Sequence, residues 1–319
     1  MQANDVSTIA VIGAGTMGTG IGGVFARAGC SVRLVDQTED LLRRAERNLQ
    51  SSQQVLQEAG LVSASEAAAA LGRIQSTVDL AAACADVELV VEAITEDLAP
   101  KRQMFATLDR LCPPGAVLAS NTSGLSITKI AQATRRPELV AGMHFWNPPH
   151  IIPLVEIIKG DATAGDTSQL LMAIASRLGK QPILVRRDVP GFVGNRLQYA
   201  VLREAFHILS EGIASAEDID TAMTAGPGLR YGFLGPLETA DLGGLDVFLA
   251  ICEYLFAKLS SAPSPPGLLA DLVEKGKLGA KTGEGFYRYS SADPGDFLAQ
   301  RDRAFLGFLE VLGREQKSR

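Results

Sequence analysis

The stretch Thr8-Ile-Ala-Val-Ile-Gly13, running on into Gly13-Ala-Gly15-Thr-Met-Gly18, constrains this chain more than any other. Its continuous apolar run reads as a buried parallel strand. The glycines that follow open a helical stretch to Ala28. This is GxGxxG in the strand–turn–helix context that gives the pattern meaning. Gly13 permits the tight turn, Gly15 lets a backbone approach a pyrophosphate, and Gly18 lets the helix pack on the strand. The helix N-terminus offers free N–H groups and a positive dipole end to phosphates. Ser31 to Asp36 reads as the second strand and ends in an acid, eighteen residues after Gly18. A carboxylate there accepts from ribose hydroxyls and repels a 2′-phosphate, so NAD is expected over NADP. Glycine-rich turns also arise by chance. Here strand, turn, helix, second strand and terminal acid agree, and they point to an α/β chain that opens with a doubly wound Rossmann sheet.

Composition narrows the classes. At 319 residues there is room for two domains, and a net charge of −6 gives no basic footprint for nucleic acid. Cys30, Cys84, Cys112 and Cys252 lie far apart with no metal or disulfide spacing, which suits reduced thiols and a cytoplasmic protein. No run reaches the ~18 apolar residues of a membrane span. The apolar run after Thr8 is broken by glycines, as a strand is and a leader is not.

From Gln37 to Arg73 no strand is evident. One crossover helix would suffice, yet there is room for two, Glu39 to about Gly60 and a second opened by the capping box Ser63-Ala-Ser-Glu66. This helical hairpin is either an enlarged crossover or a wall of the substrate cleft. Val87 to Ile94 reads as the fourth strand, Ala116 to Ser120 the fifth, Leu139 to His144 the sixth, Ile152 to Lys159 the seventh and Gln181 to Arg186 the eighth. Beyond Pro190 the pattern is helical only: about 192–211, 216–225, 245–260 and from about 297, with 261–266 a loop. The composition shift at 187–191 sets an expected boundary between a dinucleotide-binding domain, 1–188, and an all-α domain, 189–319.

Ser123, His144 and Glu156 each follow or end a strand. Oxidising an alcohol with NAD needs a base for the hydroxyl proton, and imidazole titrates near neutrality. Glu156 can fix its tautomer and stabilise the imidazolium. Ser123 can donate to the substrate oxygen. A histidine at a strand end is more often structural. His144 stands out because its strand should end at the cofactor crevice, a setting that His150 and His207 lack.

At these residues the chain resembles the L-3-hydroxyacyl-CoA dehydrogenase family. The likeness runs through Gly13–Gly18, Val35-Asp36, Val91-Glu-Ala-Ile94, Ser120-Asn-Thr-Ser123, His144-Phe-Trp-Asn-Pro148 and Leu154-Val-Glu156. It continues in Pro190-Gly-Phe-Val-Gly-Asn-Arg196, Gly235-Pro-Leu-Glu238 and Lys281-Thr-Gly-Glu-Gly-Phe-Tyr287. The resemblance implies a catalytic set of Ser123, His144, Glu156 and Asn195, with Ser123 and Asn195 also touching substrate. For the cofactor it implies Gly13, Gly15, Thr16, Met17, Gly18, Asp36 and Gln37, then Ala93, Glu96, Lys101, Asn121, Ser123 and Asn147. Glu96 and Lys101 would lie near the nicotinamide. It further implies domain closure, a homodimer held by the helical domain, a CoA-binding role for the hairpin, and no metal.

Two departures bear on substrate. The first hairpin helix carries Arg43, Arg44 and Arg47 but no lysine, where CoA-binding relatives tend to be lysine-rich. A loop before Gly235 carries Gly228-Leu-Arg230-Tyr231, which looks like λ-crystallin/L-gulonate and carnitine dehydrogenases, where an arginine meets a free carboxylate. The plainer reading of Arg230 is a surface or dimer-contact arginine. The expected activity is NAD-dependent oxidation of an L-3-hydroxyacyl-CoA, or its reverse. The alternatives are a free 3-hydroxy acid or diketo ester with Arg230 as anchor, and a crystallin-like NAD-binding structural protein.

Overall fold

The computed structural model describes residues 2–289 and 294–316. The chain divides into two compact units, Met1–Arg196 and Leu197–Arg319. The division thus falls inside a helix, beyond the composition shift at 187–191.

The first unit holds eight strands: β1 (Thr8–Ile12), β2 (Ser31–Val35), β3 (Ile74–Thr77), β4 (Leu89–Glu92), β5 (Val117–Ser120), β6 (Val140–Phe145), β7 (Leu154–Ile158) and β8 (Gln181–Val185). They form one sheet in the order β3-β2-β1-β4-β5-β6-β7-β8. Every neighbouring pair is parallel except β6 and β7, which run antiparallel. The short β3 was not located from sequence, because Ile74-Gln-Ser-Thr77 has only one apolar residue and sits half-buried at the sheet edge.

The helices of this unit are α1 (Thr16–Arg27), α2 (Glu39–Glu58), α3 (Ala64–Leu71), α4 (Leu80–Cys84), α5 (Leu98–Leu111), α6 (Ile127–Ala131) and α7 (Gly165–Arg177). They cover both faces of the sheet. Ile9 and Val11 of β1 enter one core with residues of α1, α2 and α7, while Ala10 and Ile12 enter the other with residues of α4, α5 and α6. Strand alternation sends successive side chains to opposite faces, which is why β1 reads as wholly apolar.

The hairpin α2–α3 forms where the sequence places it, and Ser63 and Glu66 close the expected capping box. Its inner face is core: Leu42, Ala45, Leu49 and Ala70 are buried beside α1. Arg43, Arg44 and Arg47 lie on the exposed side.

The rest of the chain is helical: α8 (Gly194–Ser210), α9 (Ala216–Ala225), α10 (Pro227–Tyr231), α11 (Pro236–Gly243), α12 (Leu245–Leu255), α13 (Gly267–Glu274) and α14 (Pro294–Gln316). The segment around Arg230, read from sequence as a loop, is the short helix α10. Helices α11 and α13 were also missed. Each starts at a Pro or Gly, residues that punctuate loops as often as they open a first turn.

Candidate active site

The carboxyl ends of β1, β2, β4, β5 and β6 carry most of the residues singled out above. At β1, Gly13 has φ +103°, and a Cβ there would sit 2.6 Å from the Ala93 carbonyl oxygen. A Cβ on Gly18 would sit 1.7 Å from the Gly13 carbonyl oxygen, so the turn closes only with glycine at both positions. At Gly15 a Cβ would meet nothing within 4 Å. Its side faces open space, and no side chain caps the N-terminus of α1. Asp36, just past β2, accepts from the Ala14 N–H at 2.7 Å and from its neighbour Gln37 N–H at 2.7 Å. An uncapped helix end, an open glycine and a carboxylate on the glycine loop fit a dinucleotide pyrophosphate and ribose.

β6 and β7 bring His144 and Glu156 together. Their antiparallel register sets His144 directly opposite Glu156. His144 Nδ1 lies 2.8 Å from Glu156 Oε2, and the same oxygen accepts from Trp146 Nε1 at 3.2 Å. Oε1 accepts from the backbone N–H groups of Val193 and Gly194, each at 3.0 Å. Glu156 is fully buried. Burial alone would raise its carboxyl, but the bonds from His144, Gly194 and Val193 outweigh it and hold the group below the ordinary carboxylate range. An ionised carboxylate only accepts, so Nδ1 carries its proton toward Glu156 and Nε2 is left as the basic nitrogen. Nε2 bonds to no described residue.

The two amides reach Glu156 through an unusual turn. Gly191 has φ +75° and Phe192 φ +50°, a left-handed conformation rare for a phenylalanine. The turn also sets the Phe192 ring edge-on to His144 at 5.9 Å between centroids, with Trp146 at 5.7 Å on the same imidazole. Gly194 passes so close to Trp146 that a Cβ would be 2.3 Å from its ring. Nothing in the sequence reported Phe192, Val193 or Gly194 as partners of the dyad, because two act through backbone N–H. The repeated glycines around them were the available signal.

Ser123 lies past β5, with an exposed side chain. Its N–H donates to Glu96 Oε1 at 2.8 Å and its carbonyl accepts from Asn195 Nδ2 at 2.8 Å. Ser123 and Asn195, far apart in sequence, are therefore in contact. Asn121 is buried and accepts from the Phe145 N–H at 2.8 Å, tying the end of β5 to β6. Asn147 precedes a cis bond to Pro148. Thr16 and Met17 open α1 beside the open face of Gly15, and Ala93 abuts Gly13. Lys101 is turned inward, 1% exposed, with Nζ 2.6 Å from Glu92 Oε1. Arg230 lies in the second unit, exposed on α10. Among the described residues no group of three or more His, Cys, Asp or Glu is placed to hold a metal ion. No described helix is long and apolar enough to cross a membrane.

A doubly wound sheet with an open glycine turn at its switch point, and a buried His–Glu pair on the same sheet, fits the class of NAD-dependent dehydrogenases. The family model for the 3-hydroxyacyl-CoA dehydrogenase NAD-binding domain matches residues 8–189, and that for the C-terminal domain matches 191–289. The chain belongs to the 3-hydroxyacyl-CoA dehydrogenase family, and its cofactor is NAD.

Among its relatives, a probable 3-hydroxybutyryl-CoA dehydrogenase of Deinococcus radiodurans is 43% identical over 283 residues, 88% of this chain and 99% of that one. The 5-formyl-3-hydroxy-2-methylpyridine 4-carboxylate 5-dehydrogenase of Mesorhizobium japonicum is 35% identical over 311 residues, 97% of this chain and 100% of that one. A solved structure of an enzyme of that activity, described as an NAD+-dependent dismutase, superposes with TM-score 0.90 at 34% identity, covering 97% of this chain and 99% of the other. (S)-3-Hydroxybutyryl-CoA dehydrogenase PaaH1 from Ralstonia eutropha superposes with TM-score 0.74 at 37% identity, covering 90% of this chain and 100% of the other.

Proposed function

We propose that the protein interconverts an L-3-hydroxyacyl-CoA and the 3-oxoacyl-CoA, and the observation that carries the chemistry is the His144–Glu156 pair. Bound NAD supplies the hydride acceptor. His144 Nε2 takes the hydroxyl proton as the carbon is oxidised. Glu156, fixed by four hydrogen bonds, keeps Nδ1 protonated and stabilises the imidazolium that forms. Ser123 donates to the substrate oxygen, and Asn195, joined to the Ser123 carbonyl, holds the acyl group beside it. The thioester class is supported by relatives of that activity at about 40% identity. On the exposed side of α2, Arg44 and Arg47 are the cations open to phosphates of CoA, in place of the lysines the CoA-binding relatives tend to carry. Arg43 is instead paired with Asp40. We read the protein as a cytoplasmic homodimer of short-chain acyl metabolism.

A second reading has its own observation. The pyridine carboxylate dehydrogenase matches nearly the whole chain, including residues beyond 289 where the family models stop. A hydrated aldehyde, like a secondary alcohol, has a hydrogen and a hydroxyl on the carbon to be oxidised, and the second hydroxyl of the hydrate stays on as that of the acid formed. The same base therefore serves a carboxylate-bearing substrate held by Arg230.

The test is initial-rate NADH oxidation with acetoacetyl-CoA beside NAD reduction with free 3-hydroxy acids and formyl carboxylates. Wild type, Arg230→Ala and the double variant Arg44→Glu/Arg47→Glu are compared. Acetoacetyl-CoA turnover that survives in Arg230→Ala, with KM raised in the double variant, is expected. Turnover of free acids alone, collapsing in Arg230→Ala, would overturn the thioester assignment.

A further inference from the structure

Trp146 follows β6, two residues beyond His144. Strand alternation carries both side chains to the face where Glu156 stands opposite His144. The indole Nε1 donates to Glu156 Oε2 at 3.2 Å, the same oxygen that His144 Nδ1 meets at 2.8 Å. The two backbone amides of the 191–194 turn both go to the other oxygen. Among the described residues, Trp146 is thus the one side chain that shares the imidazole's acceptor atom.

The indole is held there from two sides. On one, its ring lies 5.7 Å from the His144 ring, tilted at 52°. On the other, it comes so close to Gly194 that no side chain fits there, and the Gly194 N–H itself donates to Glu156. The other titratable or charged groups on the surrounding elements are Glu96 beside Ser123, His150 on the β6–β7 connection, and Asp188 and Arg196 at the two ends of the turn. Glu96 is engaged by Thr122, Ser123 and Lys101. Asp188 is engaged by Ser126 and Thr128, and Arg196 by the Pro190 carbonyl. Of all these groups, Glu156 alone is bonded to His144.

We propose that Trp146 is a positioning residue for the proton-transfer pair: its N–H occupies one lone pair of Glu156 Oε2 and so limits how strongly that carboxylate holds the imidazolium. The proposal rests on the reading of His144 as the base. A donor drains charge from the oxygen it meets, so an oxygen with two donors holds each less tightly than an oxygen with one. Without the indole, Oε2 answers to the imidazole alone, and the charged ring is favoured more. A base held more firmly as imidazolium needs a higher pH to be free for oxidation. By the same change it remains a proton donor to higher pH in reduction.

The chain has one tryptophan, so growth on benzothienylalanine puts sulfur in place of this indole N–H alone and keeps the shape of the ring. Trp146→Phe, which also removes the N–H, is the genetic counterpart. Two quantities are read. The first needs no substrate: the single indole N–H signal of the wild-type protein in a proton–nitrogen correlation spectrum. An indole that donates to a carboxylate is expected downfield of free indole and slow to exchange with solvent. A signal at the free-indole position that exchanges fast would overturn the proposal. The second is the pH profile of kcat/KM for reduction of acetoacetyl-CoA and for oxidation of the 3-hydroxy product. The acid limb of oxidation and the alkaline limb of reduction are both expected to move up by about one pH unit in the benzothienyl protein and in Trp146→Phe. Limbs that stay in place, whatever happens to the plateau rate, would make Trp146 a packing residue only and overturn the proposal. Should thioesters not be turned over, the limbs are read with the free acid or formyl carboxylate that is. The indole signal stands in either case, so failure of the thioester assignment is told apart from failure of this one.

Discussion

Glu156 accepts one bond from an imidazole, one from an indole and two from backbone amides, so all four of its acceptor directions are filled. Filling them does two things at once. It makes a fully buried carboxylate tolerable, and it holds the imidazole by Nδ1, leaving Nε2 as the nitrogen not bonded to Glu156. His144→Ala is expected to lower kcat by about 10²–10⁴-fold, the usual worth of a positioned base, with the NADH Kd unchanged in a fluorescence titration. Near-full turnover in this variant would remove His144 from the mechanism. His144 and Ser123 could be picked from the sequence because each is a polar group near the end of an apolar run, and Glu156 because it is the one charge inside the apolar strand β7. Phe192 could not. Its contribution depends on a φ of +50° that turns the next two N–H groups toward Glu156, and no side-chain pattern encodes that angle.

Among the elements, the connection between β6 and β7 sets the dyad, and it is fastened from outside. Pro149 lies against Gly20 of α1, where a Cβ would be 3.0 Å from the proline ring. Lys180, between α7 and β8, donates from Nζ to the Pro149 carbonyl at 2.5 Å and the Ile152 carbonyl at 2.8 Å. Burial, helped by the charge of Arg27, pushes the Lys180 ammonium down to about 8 from an ordinary 10.5. Between those values the unfolded chain binds more protons than the folded one, so this group makes stability rise with pH there. Below about pH 8 the full cost of burying the charge is in force. Wild type is therefore expected to gain on Lys180→Met as pH is raised from 8 to 10.5, read as the difference in urea midpoints. A difference that stays flat or narrows over that range would show that Lys180 is not titrating in the folded protein. Most of the strands and the hairpin α2–α3 were legible because continuous apolar runs and a capping box are local signals. β3 and α10 were not. One is a short, half-polar edge strand and the other is five residues opened by Gly226-Pro227, and each owes its form to neighbours rather than to its own composition.

At the scale of the whole molecule the two units differ in kind. The first has two dense cores on either side of the sheet. In helices α8 to α13 no residue is buried, while Leu237, Leu242 and Leu249 are 83%, 71% and 61% exposed, as is Phe256, just past α12, at 68%. Apolar surface on this scale marks an interface, and a second copy is the partner we propose. Light scattering after gel filtration is expected to give about 67 kDa, twice the 33.7 kDa chain. Leu237→Asp/Leu249→Asp is expected to halve it. A wild-type protein that runs at one chain's mass would end the homodimer assignment. The pairing of β6 with β7 has a further consequence, for how the chain assembles and varies. Every other strand pairing is parallel and is reached through a crossover, whereas His144 and Glu156 are twelve residues apart on a single hairpin. Closing so short a loop costs little entropy, and the pair meets as soon as that hairpin closes. Lengthening or shortening a crossover elsewhere in the sheet leaves the hairpin that joins His144 and Glu156 the same length.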